Sequence, residues 1–468
     1  MPRSAPARHP HRPRRPRRSA VAALVLAAAL AGPAVPHATA GERPPSGTYG
    51  YGTYGDGGGH GDAEGRELRR ALAELVAAPG GPPGAIAVLT RDGERRVYRA
   101  GTAELGDGAT PRTATPRTAT PRTTTPRTTT PRTDTTTASP TSTDTGTNGP
   151  RPPRADDHMR IASVAKAFSG AVSLALVDRG ALALDDTLGE RLPHLPKDWH
   201  AVTLRQLLQH TSGLPDFSRS PRFQAIVRAD PRHRFDSRRL LEFVAGENLA
   251  FRPGSRYAYS NSDNIAVALM AEQATGRRYE DLLRELVYRP LDLRDTSLPS
   301  GFRLPRPFLH GYDTTPGEPP EDVSEAISAS GAWASGGIVS TPADLNTFIG
   351  GYAGPALLSP PTRDAQHRFV LGESQPAGPG ENAAGLALFR YKTRCGTVYG
   401  HTGNTPGYTQ FAAATRDGRR AVTVSVTSQV TLDPALLARL RATEERFVCA
   451  LLEGGGERPS GGYGDPAA

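Results

Sequence analysis

The chain has 468 residues, 37% of them hydrophobic and 22% charged, enough to bury the core of a sizeable catalytic unit. Its formal charge of +9 would suit a nucleic-acid partner, but seven arginines sit in residues 2–18 and a net +4 in residues 107–154, so the body carries about −2. No basic groove interleaved with aromatics is left there, which excludes the usual footprint of a nucleic-acid binder.

The arginine-rich start leads into an Ala/Leu/Val run over residues 19–35, followed by Ala38-Thr39-Ala40. This arrangement predicts a cleaved signal peptide over residues 1–40; the apolar run is Ala-rich and broken by Pro33, marginal for a membrane anchor. Arg17-Arg18 leaves the export route open. No later stretch is long enough to span a bilayer, so a secreted product without a stable membrane anchor is expected. Residues 41–63 are Gly/Tyr/Pro-rich and residues 454–468 are similar, and both read as disordered. Leu68–Ala77 predicts a helix, and Ala85–Thr90 with Arg95–Ala100 a hairpin turning at Asp92-Gly93. Between Thr110 and Asp134 the unit T-P-R-T-x repeats five times. Proline every fifth residue blocks helix and sheet, so residues 107–154 are expected to form an extended, solvated insert.

Ser163-Val164-Ala165-Lys166 carries the first chemical signal. A serine hydroxyl needs a neighbour to take its proton, and a lysine three residues on along a helix shares its face. Phe168, Val172 and Leu176 continue that helix at i+4 spacing, with Gly180 as its stop; one face is expected to be buried and the other catalytic. Leu204–Gln209 reads as helical, and His210-Thr211-Ser212-Gly213 after it as a turn with a structural role. Tyr259-Ser260-Asn261 follows, with Ser262-Asp263-Asn264 immediately after it, where Ser262 is expected to cap a helix running through Ile265, Ala268 and Leu269 to Thr275-Gly276. His401-Thr402-Gly403 completes an ordered trio. Segments Ala384–Tyr391, Thr397–Thr402, Tyr408–Ala414 and Arg420–Thr427 read as strands, and Pro434–Leu452 as a helix. Cys395 and Cys449 are the two cysteines; in an oxidising compartment they are a disulfide candidate, two buried thiols being the alternative. No G-x-S-x-G elbow, H-E-x-x-H pair or phosphate-cradling loop occurs, so neither metal nor cofactor is expected.

The three motifs, with Met159–Lys166 (MRIASVAK), Leu207–Leu214 (LLQHTSGL), Phe251–Asn261 (FRPGSRYAYSN), Arg289–Thr296, Ser330–Leu345 and Val398–Tyr408, resemble the serine DD-peptidase and class C β-lactamase superfamily, most of all its secreted, soluble DD-carboxypeptidases. The resemblance runs from about Leu68 to Leu452 and implies an α+β fold: one antiparallel sheet flanked by helices, plus a mostly helical second lobe over about 181–325. The hydrolase domain would span 64–453, with the cleft between the lobes and a monomeric state.

The same resemblance implies roles. Ser163 would be acylated, and Lys166 would take its proton or hold Tyr259 as a phenolate that does so. Tyr259 would protonate the leaving amine, and Asn261 would bridge Lys166 and the substrate amide. The backbone N–H groups of Ser163 and Asn404, with Gly403 counted among the residues lining this substrate-binding and oxyanion region, would hold the oxyanion. His401 in place of lysine points toward a peptidase; it would orient Tyr259 and help receive a substrate carboxylate with Thr402 and, less directly, Arg390. Asn404 departs from the threonine common in the carboxypeptidases, which puts one carboxylate contact in doubt. The implied function is a penicillin-binding D-alanyl-D-alanine carboxypeptidase acting on peptidoglycan stem peptides. A β-lactamase, a small-ester or D-amino-acid amide hydrolase, and a catalytically silent peptidoglycan-binding module are the alternatives.

Overall fold

The computed structural model describes residues 60–106, 150–315 and 317–453; the signal sequence, the T-P-R-T-x repeats and the C-terminal tail lie outside them. Asp92 and Gly93 take φ of 48° and 91°, as a two-residue hairpin turn demands. They join strands β1 (Gly84–Arg91) and β2 (Glu94–Gly101), each a residue longer at both ends than the sequence predicts. Far along the chain come β3 (Val370–Leu371), β4 (Glu381–Ala384), β5 (Phe389–Thr393), β6 (Gly396–Thr405), β7 (Tyr408–Ala414) and β8 (Arg420–Val426). All eight form one antiparallel sheet in the order β2-β1-β8-β7-β6-β5-β4-β3. The ends of the chain thus meet in its middle, Ala85 opposite Val426 and Arg91 opposite Arg420.

The single strand expected over Ala384–Tyr391 is instead two, β4 and β5. Gly385 N–H donates to Leu388 O at 2.8 Å and Ala387 takes a φ of 50°, so the chain reverses there; alternation of small apolar residues hid the turn.

The sheet separates two apolar layers, and strand alternation decides which residue enters which. Ala85, Ala87, Leu89, Phe411, Val422 and Val424 pack under helices α1 (His60–Val76) and, further along the chain, α5 (Pro434–Leu452). Ile86, Ala412, Ala414 and Ala421 face the other way, toward α2 (Ala165–Asp178), α3 (Asn261–Thr275) and α4 (Pro342–Ala353). There Phe168 stacks on Phe348, ring centroids 3.5 Å apart. Burying one such phenylalanine stabilises the fold by roughly 1.5–3 kcal/mol.

Helix α2 departs from expectation in two ways. It does not begin at Ser163: a 3-10 turn over Ala162–Val164 comes first and the α-helix starts at Ala165. Nor does it keep an open face, since every residue from Ala165 to Leu176 is buried, the condition of a helix that is apolar all round. A Cβ at Gly170 would lie 2.3 Å from Ala387 Cβ and 2.5 Å from Tyr352 Oη, so glycine sets how closely the sheet approaches. The helix ends as predicted: Gly180 has φ 70°, and the N–H groups of Ala181 and Gly180 reach Leu176 O and Val177 O, both at 3.0 Å.

Between α2 and residue 325 the chain is built of short helices and 3-10 turns around α3, two of them opened by reciprocal Thr187/Glu190 and Thr203/Gln206 capping boxes. Residues 150–154, counted with the insert in the sequence, are anchored: Arg151 pairs with fully buried Asp157 at 2.7 Å and its carbonyl accepts from Ala103 N–H at 2.8 Å. No helix among the described residues is long and apolar enough to cross a membrane.

Cys395, in the turn between β5 and β6, is disulfide-bonded to Cys449 on α5, with Cα atoms 5.1 Å apart. The bond closes a 54-residue separation and ties the strand carrying His401-Thr402-Gly403 to the C-terminal helix. Replacing both cysteines by serine is expected to lower stability by about 3 kcal/mol, a fall of roughly 4 °C in Tm for a domain of this size. Calorimetric melts of the oxidised protein and the double variant check this; coincident curves would contradict it.

Candidate active site

The 3-10 turn and the first turn of α2 place Lys166 one turn beyond Ser163, on the same side. Lys166 Nζ lies 3.1 Å from Ser163 Oγ, 2.8 Å from Asn261 Oδ1 and 2.7 Å from Ser335 O. These three acceptors saturate an ammonium. Asn261 cannot present its other side, because Nδ2 donates to Asp216 Oδ2 at 3.1 Å and to Ser218 Oγ at 3.1 Å. Lys166 is wholly buried, and burial lowers its pKa to about 7, against the attraction of Asp216 and Asp263. Once neutral, the amine has one lone pair to direct. Two of its partners are carbonyl oxygens that only accept, so Ser163, half-buried at the cleft, is the one neighbour of the three that can donate a proton to it.

Tyr259 lies immediately before α3, which is N-capped by Ser260. One side of its ring faces Lys166 Nζ, 4.9 Å from the centroid, and the His210 ring lies 4.5 Å away at a 36° tilt. The phenol oxygen is buried without a hydrogen-bond partner among the described residues. Burial raises its pKa, so the resting group is a neutral phenol and the amine of Lys166 is the better proton acceptor.

The His210-Thr211-Ser212-Gly213 segment is more than a turn. His210, at φ 55°, bonds Asp263 Oδ2 through Nδ1 at 2.7 Å, and Ser212 Oγ donates to Asp263 Oδ1 at 2.5 Å. Burial lowers the His210 pKa to about 3 and raises that of Asp263, against the pull of Ser212 and Lys166, and the hydrogen-bonded pair supports Tyr259 from behind. Ser262 does not cap the helix as expected. Its hydroxyl donates to Pro215 O at 2.6 Å and accepts from Phe217 N–H at 2.9 Å, holding the loop that carries Asp216.

Strand β6 supplies the third motif. Its two-residue hairpins close at Gly396↔Thr393 and Thr405↔Tyr408, so the amides of odd-numbered residues address β7 and those of even-numbered residues address β5. Pairing with β5 stops at Gly400, which leaves the amides of Thr402 and Asn404 on the open edge beside Ser163. A Cβ at Gly403 would lie 2.9 Å from Ser163 N and 2.5 Å from Ile161 O; only glycine lets the strand approach the turn that carries Ser163 this closely. Asn404 lines the cavity, its Oδ1 held by Gln429 Nε2 at 2.7 Å.

Three residues expected to receive a carboxylate do not line the cavity in front of Ser163. His401 is fully buried, edge-on to Phe389, and burial lowers its pKa to about 3, with Lys166 pushing the same way; a neutral, buried imidazole brings no positive charge to a substrate. The Thr402 hydroxyl donates to Pro376 O at 2.5 Å. Arg390 lies over the Phe369 ring with Glu381 at 3.9 Å and does not line the cavity. Strand alternation accounts for Thr402, which lies opposite Phe411 on the face turned from Gly403, whereas His401 shares the face of Gly403 and is buried within it.

The cavity in front of Ser163 has a volume of about 220 Å³, with Tyr259, Asn261 and Asn404 on one side and Phe217, Phe223, Phe235, Val227 and Ile327 forming an apolar wall. The sequence reading missed that wall and Asp216. Pro215-Asp216 is an ordinary turn signal, which nothing in its spacing tied to Asn261. Among the described residues no group of three His, Cys, Asp or Glu is placed to hold a metal.

Comparison with known proteins agrees with this geometry. Penicillin-binding protein 4* of Bacillus subtilis is 24% identical over 293 residues, covering 58% of this chain and 61% of its own. The D-alanyl-D-alanine-carboxypeptidase/endopeptidase AmpH of Escherichia coli is 29% identical over 208 residues, 43% of this chain and 50% of its own. The chain thus spans about half to three fifths of the length of these curated relatives. Among solved structures, a D-stereospecific amidohydrolase from Streptomyces superposes with a TM-score of 0.62 at 25% identity, covering 80% of this chain and 98% of its own. The D-amino acid amidase of Ochrobactrum anthropi shares the fold at TM-score 0.65 and 22% identity, over 82% and 97% of the two chains. The family model described as Beta-lactamase matches residues 68–445, which takes in every motif of the site, and the chain belongs to the beta-lactamase family of serine hydrolases.

Proposed function

We propose that the protein is a D-alanyl-D-alanine carboxypeptidase working through an acyl-enzyme on Ser163. The observation that carries the chemistry is the buried Lys166 amine, whose lone pair has Ser163 as its only proton-donating neighbour among its three partners. Ser163 Oγ attacks the substrate carbonyl as its proton passes to Lys166. The tetrahedral oxyanion is held by the amides of Ser163 and Asn404, each worth about 3 kcal/mol in a fixed, water-poor site. Tyr259 gives its proton to the departing nitrogen and is reprotonated from Lys166. Water then attacks the ester, giving up a proton along the same path, and Ser163 is restored. The names of two relatives, a penicillin-binding protein and a D-Ala-D-Ala carboxypeptidase/endopeptidase, support the substrate. The arginine-rich, apolar start with its A-x-A site supports export to the cell-wall side, where the enzyme would act as a monomer.

A second reading, hydrolysis of a D-amino-acid amide or small ester, is favoured by one observation. The residues lining the catalytic cavity include no Lys, Arg or charged His and present an apolar wall, which suits a neutral leaving group.

Release of D-alanine from an N-acyl-D-Ala-D-Ala peptide separates the two. The first reading predicts release that falls by about 10³-fold or more in Ser163→Ala; cleavage of D-amino-acid amides and nitrophenyl esters with an inert peptide would establish the second. The pH profile tests the base. Because burial lowers the Lys166 pKa to about 7, the neutral amine is scarce below that pH and dominant above it. Acylation kcat/KM is therefore expected to rise about tenfold per pH unit below 7 and level off above it; a flat profile between pH 5 and 9 would contradict Lys166 as base.

A further inference from the structure

The connection between β3 and β4 runs along the flank of the catalytic cavity. Gln375, on that connection, lines the cavity together with Ser163, Tyr259 and Asn404. A second cavity, of about 610 Å³, adjoins it and is lined by Tyr257, Glu373 and Gly380 among others. Tyr259 and Gln375 are the two residues that both cavities share, and of the two only the first reaches Ser163.

The backbone on both sides of Gln375 is tied down. Tyr257 Oη donates to Glu373 O at 2.5 Å, Tyr391 Oη donates to Oγ of the fully buried Ser374 at 3.0 Å, and that hydroxyl donates in turn to Pro376 O at 2.9 Å. Pro376 O also accepts from Thr402 Oγ1 at 2.5 Å, which pins the connection to the strand whose Gly403 abuts the turn of Ser163. Further on, Arg441 Nε donates to Gly378 O at 3.0 Å. A Cβ at Gly372 would lie 2.5 Å from Tyr257 Cδ2, so the chain enters the connection pressed against that ring. Between these fastenings the Gln375 side chain is exposed to both cavities.

In acylation the bond from the carbonyl carbon to the leaving nitrogen breaks, Ser163 Oγ keeps the acyl carbon, and the nitrogen takes the proton of Tyr259. The leaving fragment therefore lies against Tyr259, at the junction of the two cavities, and Gln375 is the other residue of that junction. Each further residue of an extended leaving group adds about 3.5 Å of chain, and on the way from Tyr259 into the second cavity that length meets Gln375. Displacing the connection would break hydrogen bonds at Glu373, Ser374 or Pro376. We propose that Gln375 is a specificity-determining residue that closes the leaving-group end of the catalytic cavity, so that the enzyme expels a single residue and rejects longer leaving groups. Tyr257, Tyr391 and Thr402 are its positioning residues. This rests on the carboxypeptidase reading and narrows it to an exopeptidase that does not cleave within a longer peptide.

The test compares two substrates in one enzyme, N-acyl-D-Ala-D-Ala and N-acyl-D-Ala-D-Ala-Gly-Gly, with cleavage between the two D-alanines read from product masses. The parent is expected to cleave the shorter peptide with a kcat/KM roughly 100-fold higher. Gln375→Gly, which joins the two cavities, is expected to bring that ratio within about tenfold, and Tyr257→Phe, which frees Glu373 O, to narrow it roughly fivefold. Loss of folded protein lowers both rates together and leaves the ratio unchanged. Equal cleavage of the two peptides by the parent, or a ratio that survives Gln375→Gly, would overturn the assignment. Failure of the carboxypeptidase reading shows separately, as no D-alanine release from the shorter peptide while D-alanine amide is cleaved; the same ratio is then read between D-alanine amide and D-Ala-Gly-Gly.

Discussion

The site depends on a lysine placed where a cation is costly. Lys166 has no exposed surface, and an uncompensated ammonium in that position would carry a desolvation penalty of several kcal/mol. Three acceptors and two carboxylates at longer range, Asp216 and Asp263, offset enough of it to leave the amine near its titration point. Exposed, the lysine would stay protonated at neutral pH and be useless as a base; buried without partners, it would destabilise the fold. The surrounding architecture keeps it between these limits.

Each partner of Lys166 comes from a different element. Ser163 rides the 3-10 turn before α2, Asn261 opens α3, and Ser335 belongs to the short helix Trp333–Gly336. Asn261 is itself oriented by Asp216, which Ser262 fixes indirectly by gripping the backbone of Pro215 and Phe217. The Asp263–His210 pair then packs behind Tyr259. The first turn of α3 thus organises three things: the amide, the loop that aims it and the support of the phenol. On the opposite wall Gly403 brings β6 against the turn that carries Ser163, and the disulfide anchors the start of that strand.

Much of this was legible in the sequence, for physical reasons. Lys166 and Ser163 are bound by helical spacing, the β1/β2 hairpin by Asp92-Gly93, and the end of α2 by Gly180; each is a local signal carried by the residues themselves. The family resemblance supplied the sheet that joins the two ends of the chain. What escaped depends on direction or on distant contacts. Strand parity turns only Thr402 from the face of Gly403; His401 keeps that face but is buried in it, and Arg390 is held over the Phe369 ring. Ser262 looked like a cap because caps and loop anchors use the same hydroxyl. Asp216 and the aromatic wall of Phe217, Phe223 and Phe235 gain their meaning only when the loop folds over α3.

The central claim, that Ser163 is a nucleophile activated by Lys166, is tested most directly by intact-mass spectrometry during incubation with benzylpenicillin. A one-to-one covalent adduct that maps to Ser163, is absent in Ser163→Ala and forms far more slowly in Lys166→Ala is the predicted result. An adduct on another residue, or acylation of Ser163→Ala at the parent's rate, would contradict it.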